Sequence, residues 1–392
     1  MLVFYNIIIY CYELLIKFHS IFNEKSRQWI KGRKNIFNKI KTEIKDHKEI
    51  IWFHCASLGE YEQAKSLILN FKKKHTRKKI LLTFFSPSGY ENFKQEKFID
   101  WIFYLPSDTK ENAKKFISLI NPEIAFFIKS EFWINYMIAL EKQKIPLYHI
   151  SSIFKEDNFI LNLKFFQNQL MKSKHFFVQD KSSLLVLEKF KIHQVSIVGD
   201  ARIDTIISDK EKNNLQIIRS KRKILIFGSV WPEDEHIYMS FIKNKANKFN
   251  YLIAPHDLNY SNKIKDKTNG VLFSQIINND ISKDRIIIIN NIGMLKNLYK
   301  YCDYVYIGGG FGKGIHNILE PAVYHLPIIF GKNYTKNKEA KELIKLNCAI
   351  SVKNNIEFQE AINHFQIKFE KSKILKYFKD NYGAVKKILN KI

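Results

Sequence analysis

Residues 304–331 read YVYIGGGFGKGIHNILEPAVYHLPIIFG, and this stretch decides how the second half of the chain folds. Tyr304–Ile307 is a β-branched and aromatic run that predicts a buried strand, and Leu326–Phe330 predicts another. Between them, the glycines from Gly308 to Gly314 precede a helix that we expect to begin near His316. This order is typical of an α/β phosphate site, because a glycine backbone can approach a ligand closely. The competing interpretation is a structural turn, and the spacing fits the dinucleotide fingerprint poorly.

Strand-like runs recur along the rest of the chain and alternate with helical patterns. This rhythm predicts parallel strands with helices on both faces, as in a Rossmann-like domain. The polar and basic residues 206–222 interrupt it once, as a linker between two domains would. The other predicted strands are Ile50–Cys55, Ile80–Phe85, Trp101–Leu105, Ile124–Ile128, Pro146–Ile150, His175–Gln179, Lys223–Phe227, Tyr251–Ala254 and Arg285–Ile289.

We therefore expect an α/β protein with an N-terminal Rossmann-like domain at 23–205, a linker at 206–222 and a C-terminal Rossmann-like domain at 223–392. The last helix of the chain can pack back on the N-terminal domain. Two such domains that face each other across a ligand cleft form the GT-B architecture, in which ligands bind at the carboxyl ends of the strands.

The first 22 residues are the most apolar part of the chain, although Glu13 and Lys17 interrupt them. They show neither the basic start nor the cleavage site of a secretory signal. A basic stretch follows, comprising Lys25, Arg27, Lys31, Arg33 and Lys34. We expect residues 1–22 to form a helix that lies in or dips into an anionic membrane and takes no part in catalysis. A single membrane span and a buried core helix are the alternatives.

The formal net charge of +26 suggests nucleic acid, an anionic membrane or an acidic substrate as a partner. The lysines are scattered and form no basic tract with interleaved aromatic residues, which argues against nucleic acid. Part of the excess can also reflect A/T-rich codons. The four cysteines show neither a CxxC motif nor metal-ligand spacing, so the sequence predicts a reducing compartment and no metal site.

Two acidic residues follow predicted strands, where open α/β sheets place their ligands. Glu60 comes after Ile50–Cys55 and is a candidate general base that accepts a proton from a hydroxyl group. The competing interpretation is a capping box, Ser57 to Glu60, at the start of a helix. Glu131 follows Ile124–Ile128, and its alternative is a buried acid paired with a basic side chain.

Several segments, in this order along the chain, resemble the 3-deoxy-D-manno-octulosonic acid (Kdo) transferases, GT-B glycosyltransferases of lipopolysaccharide synthesis. The segments are Gly32-Arg33, HCASLGEYEQA around Glu60, KSEFWIN at 129–135, VGDARID at 198–204, GSVWPEDE at 228–235, APHD at 254–257 and GGGFGKGIHNILEP at 308–321. In KSEFWIN, Lys129 stands where the family has a first acid and Ile134 where it has a proline. The role of that first acid therefore cannot be carried over.

The resemblance implies transfer of Kdo from CMP-Kdo to a lipid A precursor, with inversion at the anomeric carbon, on the cytoplasmic face of the inner membrane. It implies that Glu60 is the base and that Glu320 binds the ribose hydroxyls. No cofactor is expected, because CMP carries one phosphate and the chain has no D-x-D motif. The expected acceptor- or sugar-binding residues are Ser57, Gly59 and Glu131. The expected nucleotide-binding residues are Gly228, Ser229, His256, Gly308, Gly309, Gly310, Phe311, Asn317 and Glu320.

Other classes of protein compete with this interpretation. A GT-B enzyme that uses a UDP-sugar would share the fold, and competition between CMP and UDP would separate the two. A basic membrane-bound binding protein would explain residues 2–22 but would leave the glycine and acid motifs without a use.

Overall fold

The structure is a computed structural model that describes residues 1–45, 47–244 and 249–392. These residues form two compact units. Residues 1–205 together with 381–392 make up the first unit, which we call the N-terminal domain. Residues 206–380 make up the second, the C-terminal domain.

The N-terminal domain contains a seven-stranded parallel sheet in the order β3-β2-β1-β4-β5-β6-β7. Because successive side chains of a strand point to opposite faces, strands buried on both faces read as continuous apolar runs. In β1, Trp52 packs into the core on one face of the sheet, and Phe53 packs into the core on the other. The strands are β1 Ile50–Cys55, β2 Lys79–Phe84, β3 Trp101–Tyr104, β4 Ile124–Ile128, β5 Leu147–Ser152, β6 His175–Val178 and β7 Val195–Ile197.

Helices cover both faces of this sheet, and one of them comes from the end of the chain. They are α1 Leu2–His19, α2 Glu24–Arg33, α3 Ile36–Ile44, α4 Leu58–Lys74, α5 Pro87–Tyr90, α6 Lys110–Ile120, α7 Ile134–Lys142, α8 Lys164–Leu170, α9 Lys181–Lys189 and α18 Ala384–Leu389. In α18, Ala384, Val385 and Ile388 are buried in the same core as Phe53.

The C-terminal domain repeats this plan with a parallel sheet in the order β10-β11-β9-β8-β12-β13-β14. Its strands are β8 Lys223–Val230, β9 Phe249–Pro255, β10 Val271–Leu272, β11 Ile286–Ile288, β12 Tyr304–Ile307, β13 Ile328–Gly331 and β14 Ala349–Val352. Its helices are α11 Glu235–Lys243, α12 Ser261–Thr268, α13 Leu295–Leu298, α14 Leu319–Ala322, α15 Lys338–Lys345, α16 Asn355–Lys368 and α17 Lys371–Asn381. The predicted pair of Rossmann-like domains is therefore confirmed.

The strand order reverses once in each sheet, and ligands of open α/β sheets bind outside the carboxyl ends of the strands at that point. In the N-terminal domain the reversal lies between β1 and β4, so the residues after Cys55 and after Ile128 are neighbours. In the C-terminal domain it lies between β8 and β12, where Gly228 pairs with Ile307. The candidate residues of the sequence analysis follow these strands.

Two local expectations differ from the structure. Helix α10, Ala201–Glu211, extends into the segment that we expected to be a linker at 206–222. The helix expected near His316 begins only at Leu319 and is four residues long. The Asn317 side chain accepts a hydrogen bond from the Leu319 amide. This bond holds residues 317–319 in a turn, so the helix begins at Leu319 and not near His316.

Helix α1 is attached to the N-terminal domain by polar as well as apolar contacts. The Tyr5 hydroxyl donates to Asp108, and the Asn135 side-chain amide donates to Asn6. Leu2 and Tyr5 pack against the domain core. The helix is also long and apolar enough to cross a membrane by length and composition. It is therefore docked on the N-terminal domain, and its role at a membrane stays a prediction.

Candidate functional site

The carboxyl ends of β1 and β4 bring Glu60, Lys129 and Glu131 into one charged cluster. Glu60 lies in the first turn of α4 and is only 7% exposed. Burial raises the pKa of Glu60, against hydrogen bonds from backbone amides and the positive charge of Lys129. Burial, reinforced by the charge of Glu60, raises the pKa of Glu131 to about 8, and Lys129 opposes this shift as well. The cluster thus holds two carboxyl groups of high proton affinity near one ammonium group.

Glu60 is held at the start of α4 by backbone groups. Its Oε2 accepts a hydrogen bond from the Ala56 amide at 2.5 Å. Ser57 is the N-cap residue, but its side chain makes no capping hydrogen bond, so the reciprocal capping box is incomplete. Gly59 is exposed, and a side chain there would meet only Ser57 Oγ, at 3.9 Å. Packing therefore does not require a glycine at position 59, and helix capping does not use the Ser57 hydroxyl.

Lys129 has a left-handed backbone, with φ at 67°, which is unusual for a residue with a long side chain. Its amide donates to the Ile150 carbonyl at 2.7 Å, and its carbonyl accepts from the Ser152 hydroxyl at 2.8 Å. Both bonds tie the end of β4 to β5. The backbone is therefore fixed, while the side chain is exposed beside the two acids.

A neutral histidine and a tryptophan form the wall behind Glu131. Trp133 Nε1 donates to His54 Nε2 at 3.0 Å, which leaves His54 Nδ1 to donate to the Thr83 hydroxyl at 2.9 Å. Burial lowers the pKa of His54 to about 3, so the ring stays neutral at physiological pH. Because Trp133 is anchored in this way, the segment that carries Glu131 has a defined position.

In the C-terminal domain, the glycine-rich segment is packed too tightly for side chains. A Cβ atom at Gly308 would lie 2.4 Å from the Ser229 carbonyl oxygen, and one at Gly310 would lie 2.6 Å from Gly331. The Gly309 backbone is left-handed, with φ at 88°. These glycines let the turn after β12 press against the ends of β8 and β13.

Two of the three amides at Gly308–Gly310 donate hydrogen bonds to groups of the same domain. The Gly308 amide donates to the Gly228 carbonyl, and the Gly309 amide donates to the Asp234 carboxylate at 2.9 Å. Asp234 also accepts from the Trp231 amide and the Tyr306 hydroxyl, at 2.8 and 2.7 Å. For the Gly310 amide, no acceptor is found within the part of the chain that the structure describes.

Three rings stack beside the glycine turn. Trp231 and His256 lie with ring centroids 4.3 Å apart, and His256 and His316 lie 4.5 Å apart. Trp231 Nε1 donates to His316 Nε2 at 2.8 Å. Burial lowers the pKa of both histidines, that of His316 to about 4, so both rings are neutral at physiological pH. The stack is a flat, uncharged surface suited to an aromatic ligand.

The remaining predicted nucleotide-binding residues are Ser229, Asn317, Glu320 and Phe311. Ser229 has a left-handed backbone, with φ at 54°, at the irregularity between Gly228 and Val230 near the end of β8. Asn317 Nδ2 donates to Glu320 Oε1 at 3.2 Å. Phe311 instead packs its ring against His236, with centroids 4.7 Å apart, and against the domain core. The structure thus brings Ser229, His256 and the glycine turn to one edge, whereas Phe311 serves packing.

Sequence reasoning missed Trp231 and the ring of His316 as parts of this edge. Trp231 directly follows β8, His256 follows β9 and His316 lies beyond β12, so each is near the carboxyl end of a strand. That shared position is a signal that the sequence contained. Within the described ranges 1–45, 47–244 and 249–392, no group of three or more His, Cys, Asp or Glu side chains could hold a metal ion.

Comparison with solved structures identifies the class of fold. The chain aligns with UDP-GlcNAc 2-epimerase from Neisseria meningitidis, bound to UDP-GlcNAc, at a TM-score of 0.58 and 14% identity, covering 87% of this chain and 98% of that one. It aligns with a glycosyltransferase from Rickettsia africae at a TM-score of 0.52 and 12% identity, covering 88% and 97%. These likenesses show the fold alone: two Rossmann-like domains of the GT-B class.

Sequence comparison finds similarity to one group of transferases. Residues 30–205 match the family model of the 3-deoxy-D-manno-octulosonic-acid transferases (kdotransferases). A 3-deoxy-D-manno-octulosonic acid transferase from Rickettsia conorii is 26% identical over 377 residues, which cover 90% of this chain and 81% of the relative. A bifunctional glycosyltransferase/methyltransferase from Fusobacterium nucleatum is 28% identical over 94% of this chain, which spans 61% of that relative. The chain is similar to Kdo transferases over most of its length, and residues 30–205 of its N-terminal domain match their family model.

Proposed function

We propose that the protein transfers Kdo from CMP-Kdo to a lipid A precursor, in the synthesis of lipopolysaccharide. The observation that carries this proposal is the buried Glu60 at the strand reversal of a domain that matches the Kdo transferase family model. The residues of both domains fit the demands of the reaction, which needs a base for the acceptor hydroxyl and a site for the nucleotide that leaves.

Glu60 acts as the general base in this proposal. The acceptor hydroxyl attacks the anomeric carbon of Kdo from the side opposite to CMP, and its proton passes to the Glu60 carboxylate. The raised pKa of Glu60 makes the carboxylate a stronger base near neutral pH than an exposed glutamate would be. Lys129, nearby, favours the ionised form of both acids and keeps Glu60 able to accept the proton.

The C-terminal domain binds the CMP part of the donor. The phosphate of CMP gains negative charge as the bond to Kdo breaks, and polar groups fixed beforehand stabilise that charge. The candidate donors are the Ser229 hydroxyl, the Gly310 amide and the Lys313 ammonium group, which lies 5.9 Å from the centre of the Trp231 ring. Glu320, with Asn317 beside it, binds the ribose hydroxyls, and the ring stack lies next to this site.

The protein acts at an anionic membrane in this proposal, on its cytoplasmic face. Helix α1 exposes many apolar side chains, among them Val3, Phe4, Leu14, Leu15 and Phe18. The net charge of +26 favours the anionic lipid surface in which the acceptor is embedded.

The test is an assay of the purified full-length chain with CMP-Kdo and a tetraacyl lipid A precursor, with the mass of the product as the readout. We expect the acceptor mass to increase by one or more Kdo units, and we expect CMP to compete with the donor better than UDP does. Transfer from a UDP-sugar, with no transfer from CMP-Kdo, would contradict the proposal and favour the UDP-sugar alternative.

A further inference from the structure

The N-terminal domain contains a cavity of about 540 Å³ that the proposed chemistry does not use. It lies between α1, α2, the start of α3 and α6, and we call it the α1 pocket. Four basic side chains line it, Lys17, Arg33, Lys34 and Lys115, against one acid, Glu13. Glu13 accepts a hydrogen bond from the Ser107 hydroxyl, which also lines the pocket. The pocket therefore has a strong excess of positive charge and suits an anion.

Arg33 is a fixed cation in the wall of this pocket. Its guanidinium donates to the carbonyls of Trp29, Phe85 and Leu105, at 3.1, 2.7 and 2.8 Å, and lies 3.8 Å from the centre of the Trp29 ring. No carboxylate within the described residues forms an ion pair with it. Burial lowers the pKa of Arg33 to about 9, so it keeps its charge at neutral pH. Glu13 is the one acid among the described pocket residues that favours this charge, and a partly buried cation with so little opposite charge around it favours the approach of an anion.

A buried hydrogen-bond donor in the same wall also lacks a partner. Trp29 is 7% exposed, and its Nε1 is buried without a hydrogen-bond partner among the described residues. Asn35, which is exposed, precedes the nine-residue helix α3 and makes no side-chain capping bond, so its side chain does not occupy the start of that helix. Both Trp29 and Asn35 line the pocket. A buried donor, a helix start and several cations are what an oxyanion with many acceptor atoms requires.

The pocket adjoins the exposed apolar helix, and packed rings connect its Arg33 to the carboxylate cluster. Lys17 belongs to α1, whose neighbouring Phe18 is 67% exposed. On the inner side, the Arg33 guanidinium lies 4.9 Å from the centre of the Phe85 ring, which stacks on Trp133 at 4.5 Å. Trp133 in turn contacts Glu131. A lipid whose chains lie along α1 would place its polar group in the pocket and its next groups toward Glu131.

We propose that the α1 pocket binds a phosphate monoester on the headgroup of a membrane lipid, held by Lys17, Lys34 and Lys115 around the fixed Arg33. A phosphate monoester carries a charge of about −1.5 to −2 and three strong acceptor oxygens at neutral pH, which matches this excess of cations and donors. That this lipid is also the acceptor of the transfer reaction rests on the proposed function.

The experiment measures binding of the full-length chain to phosphatidylcholine vesicles without any sugar donor. One set of vesicles contains phosphatidic acid, a phosphate monoester, and the other contains phosphatidylglycerol, a diester, at matched surface charge. The pocket variant is Lys17→Gln/Lys115→Gln. The control variant, Lys41→Gln/Lys114→Gln, removes two exposed lysines of α3 and α6 that do not line the pocket. Melting temperatures verify that both variants fold.

We expect the pocket variant to bind phosphatidic acid vesicles about tenfold more weakly, as the loss of charge-assisted hydrogen bonds predicts, and phosphatidylglycerol vesicles nearly as well as the wild type does. The control should lose little affinity, and equally for both lipids. Equal losses in the two variants, or equal losses on the two lipids, would overturn the proposal in favour of diffuse attraction. Release from phosphatidic acid by micromolar inorganic phosphate would overturn the lipid assignment in favour of free phosphate. Because no donor is present, failure of Kdo transfer leaves this result standing and instead refutes the proposed function.

Discussion

The two sheets have equivalent topologies, but the edges at which they place their candidate residues differ in chemistry. At the end of β1 and β4, the N-terminal domain places two carboxyl groups and an ammonium group. At the end of β8 and β12, the C-terminal domain places glycines and a stack of neutral rings. In the proposed reaction the first edge moves a proton, and the second makes close contact with the flat base of the nucleotide.

This difference shows where the same fold can vary. Both strand reversals bring two loops together, but the residue types in those loops decide the chemistry. Charged groups need burial and neighbours that set their pKa, as Glu60 and Glu131 have. The proposed nucleotide site relies on a fixed backbone and uncharged rings, which are the glycine turn held by Asp234 and the neutral histidines. The following predictions test this division of roles, from the largest expected effect to the smallest.

Replacing the base should have the largest effect. Glu60→Gln keeps the shape of the side chain but cannot accept a proton, so transfer should fall about 10²–10⁴-fold while the protein still folds. Turnover of CMP-Kdo and melting temperature would be measured together. Glu62→Gln, two residues further along α4 on an exposed position, is the matched control and should stay near wild-type activity. Near-wild-type turnover of folded Glu60→Gln would reduce Glu60 to a helix cap.

Replacing Glu320, the predicted ribose contact, should weaken the binding of CMP. Glu320→Ala should weaken CMP binding by about 1.5–3 kcal/mol, the usual worth of hydrogen bonds to a charged group. Titration calorimetry with CMP measures this directly, and Glu360→Ala, an exposed residue of α16, serves as the control. Unchanged CMP affinity together with a sharply lower melting temperature would show that Glu320 is structural.

The glycine turn should tolerate a side chain at one position and not at another. Gly308→Ala places a Cβ atom against the backbone of Ser229 and Val230, so it should destabilise the protein by about 1–3 kcal/mol. At Gly312 the nearest neighbour of a Cβ atom would be the Glu233 side chain, at 3.8 Å. Gly312→Ala should therefore leave the denaturation midpoint nearly unchanged. Equal midpoints for the two variants would contradict the tight packing described for this turn.

Glu131 should make stability depend on pH. Its pKa is about 8 in the folded protein and about 4.3 in an unfolded chain, so between these values the folded state holds a proton that the unfolded state has released. The free energy of unfolding should therefore fall as pH rises from 5 to 8. Urea denaturation of wild type and Glu131→Gln at several pH values measures this, and the variant should show a smaller slope. An identical slope in both proteins would mean that Glu131 is ionised in the folded state.

The fold could be predicted from the sequence because strands buried on both faces leave a local signal. The apolar runs Ile50–Cys55, Ile124–Ile128 and Tyr304–Ile307 coincide with β1, β4 and β12. Glycine and acidic residues after such runs likewise indicated which loops carry the site. Family resemblance supplied the chemical roles that spacing alone left open.

The remaining features depend on contacts between distant parts of the chain. Trp231 and His316 are 85 residues apart, and Tyr5 and Asp108 are 103 residues apart, so no local pattern reports that they meet. The α1 pocket needs side chains from four helices at once. The late start of α14 coincides with one hydrogen bond that the Asn317 side chain accepts from the Leu319 amide, a detail that strand and helix patterns do not resolve.

The ring stack gives the C-terminal domain a built-in optical reporter. Trp231 is the one tryptophan between residues 206 and 380, and the other four, at 29, 52, 101 and 133, belong to the N-terminal domain. Its indole N–H is bonded to one imidazole and its face is covered by another, so its emission depends on the position and protonation of both rings. A ligand that slides between these rings, or acid that charges them, would change the fluorescence of this single residue. Ligand binding to the C-terminal domain can thus be followed by tryptophan fluorescence, without any added label and without turnover.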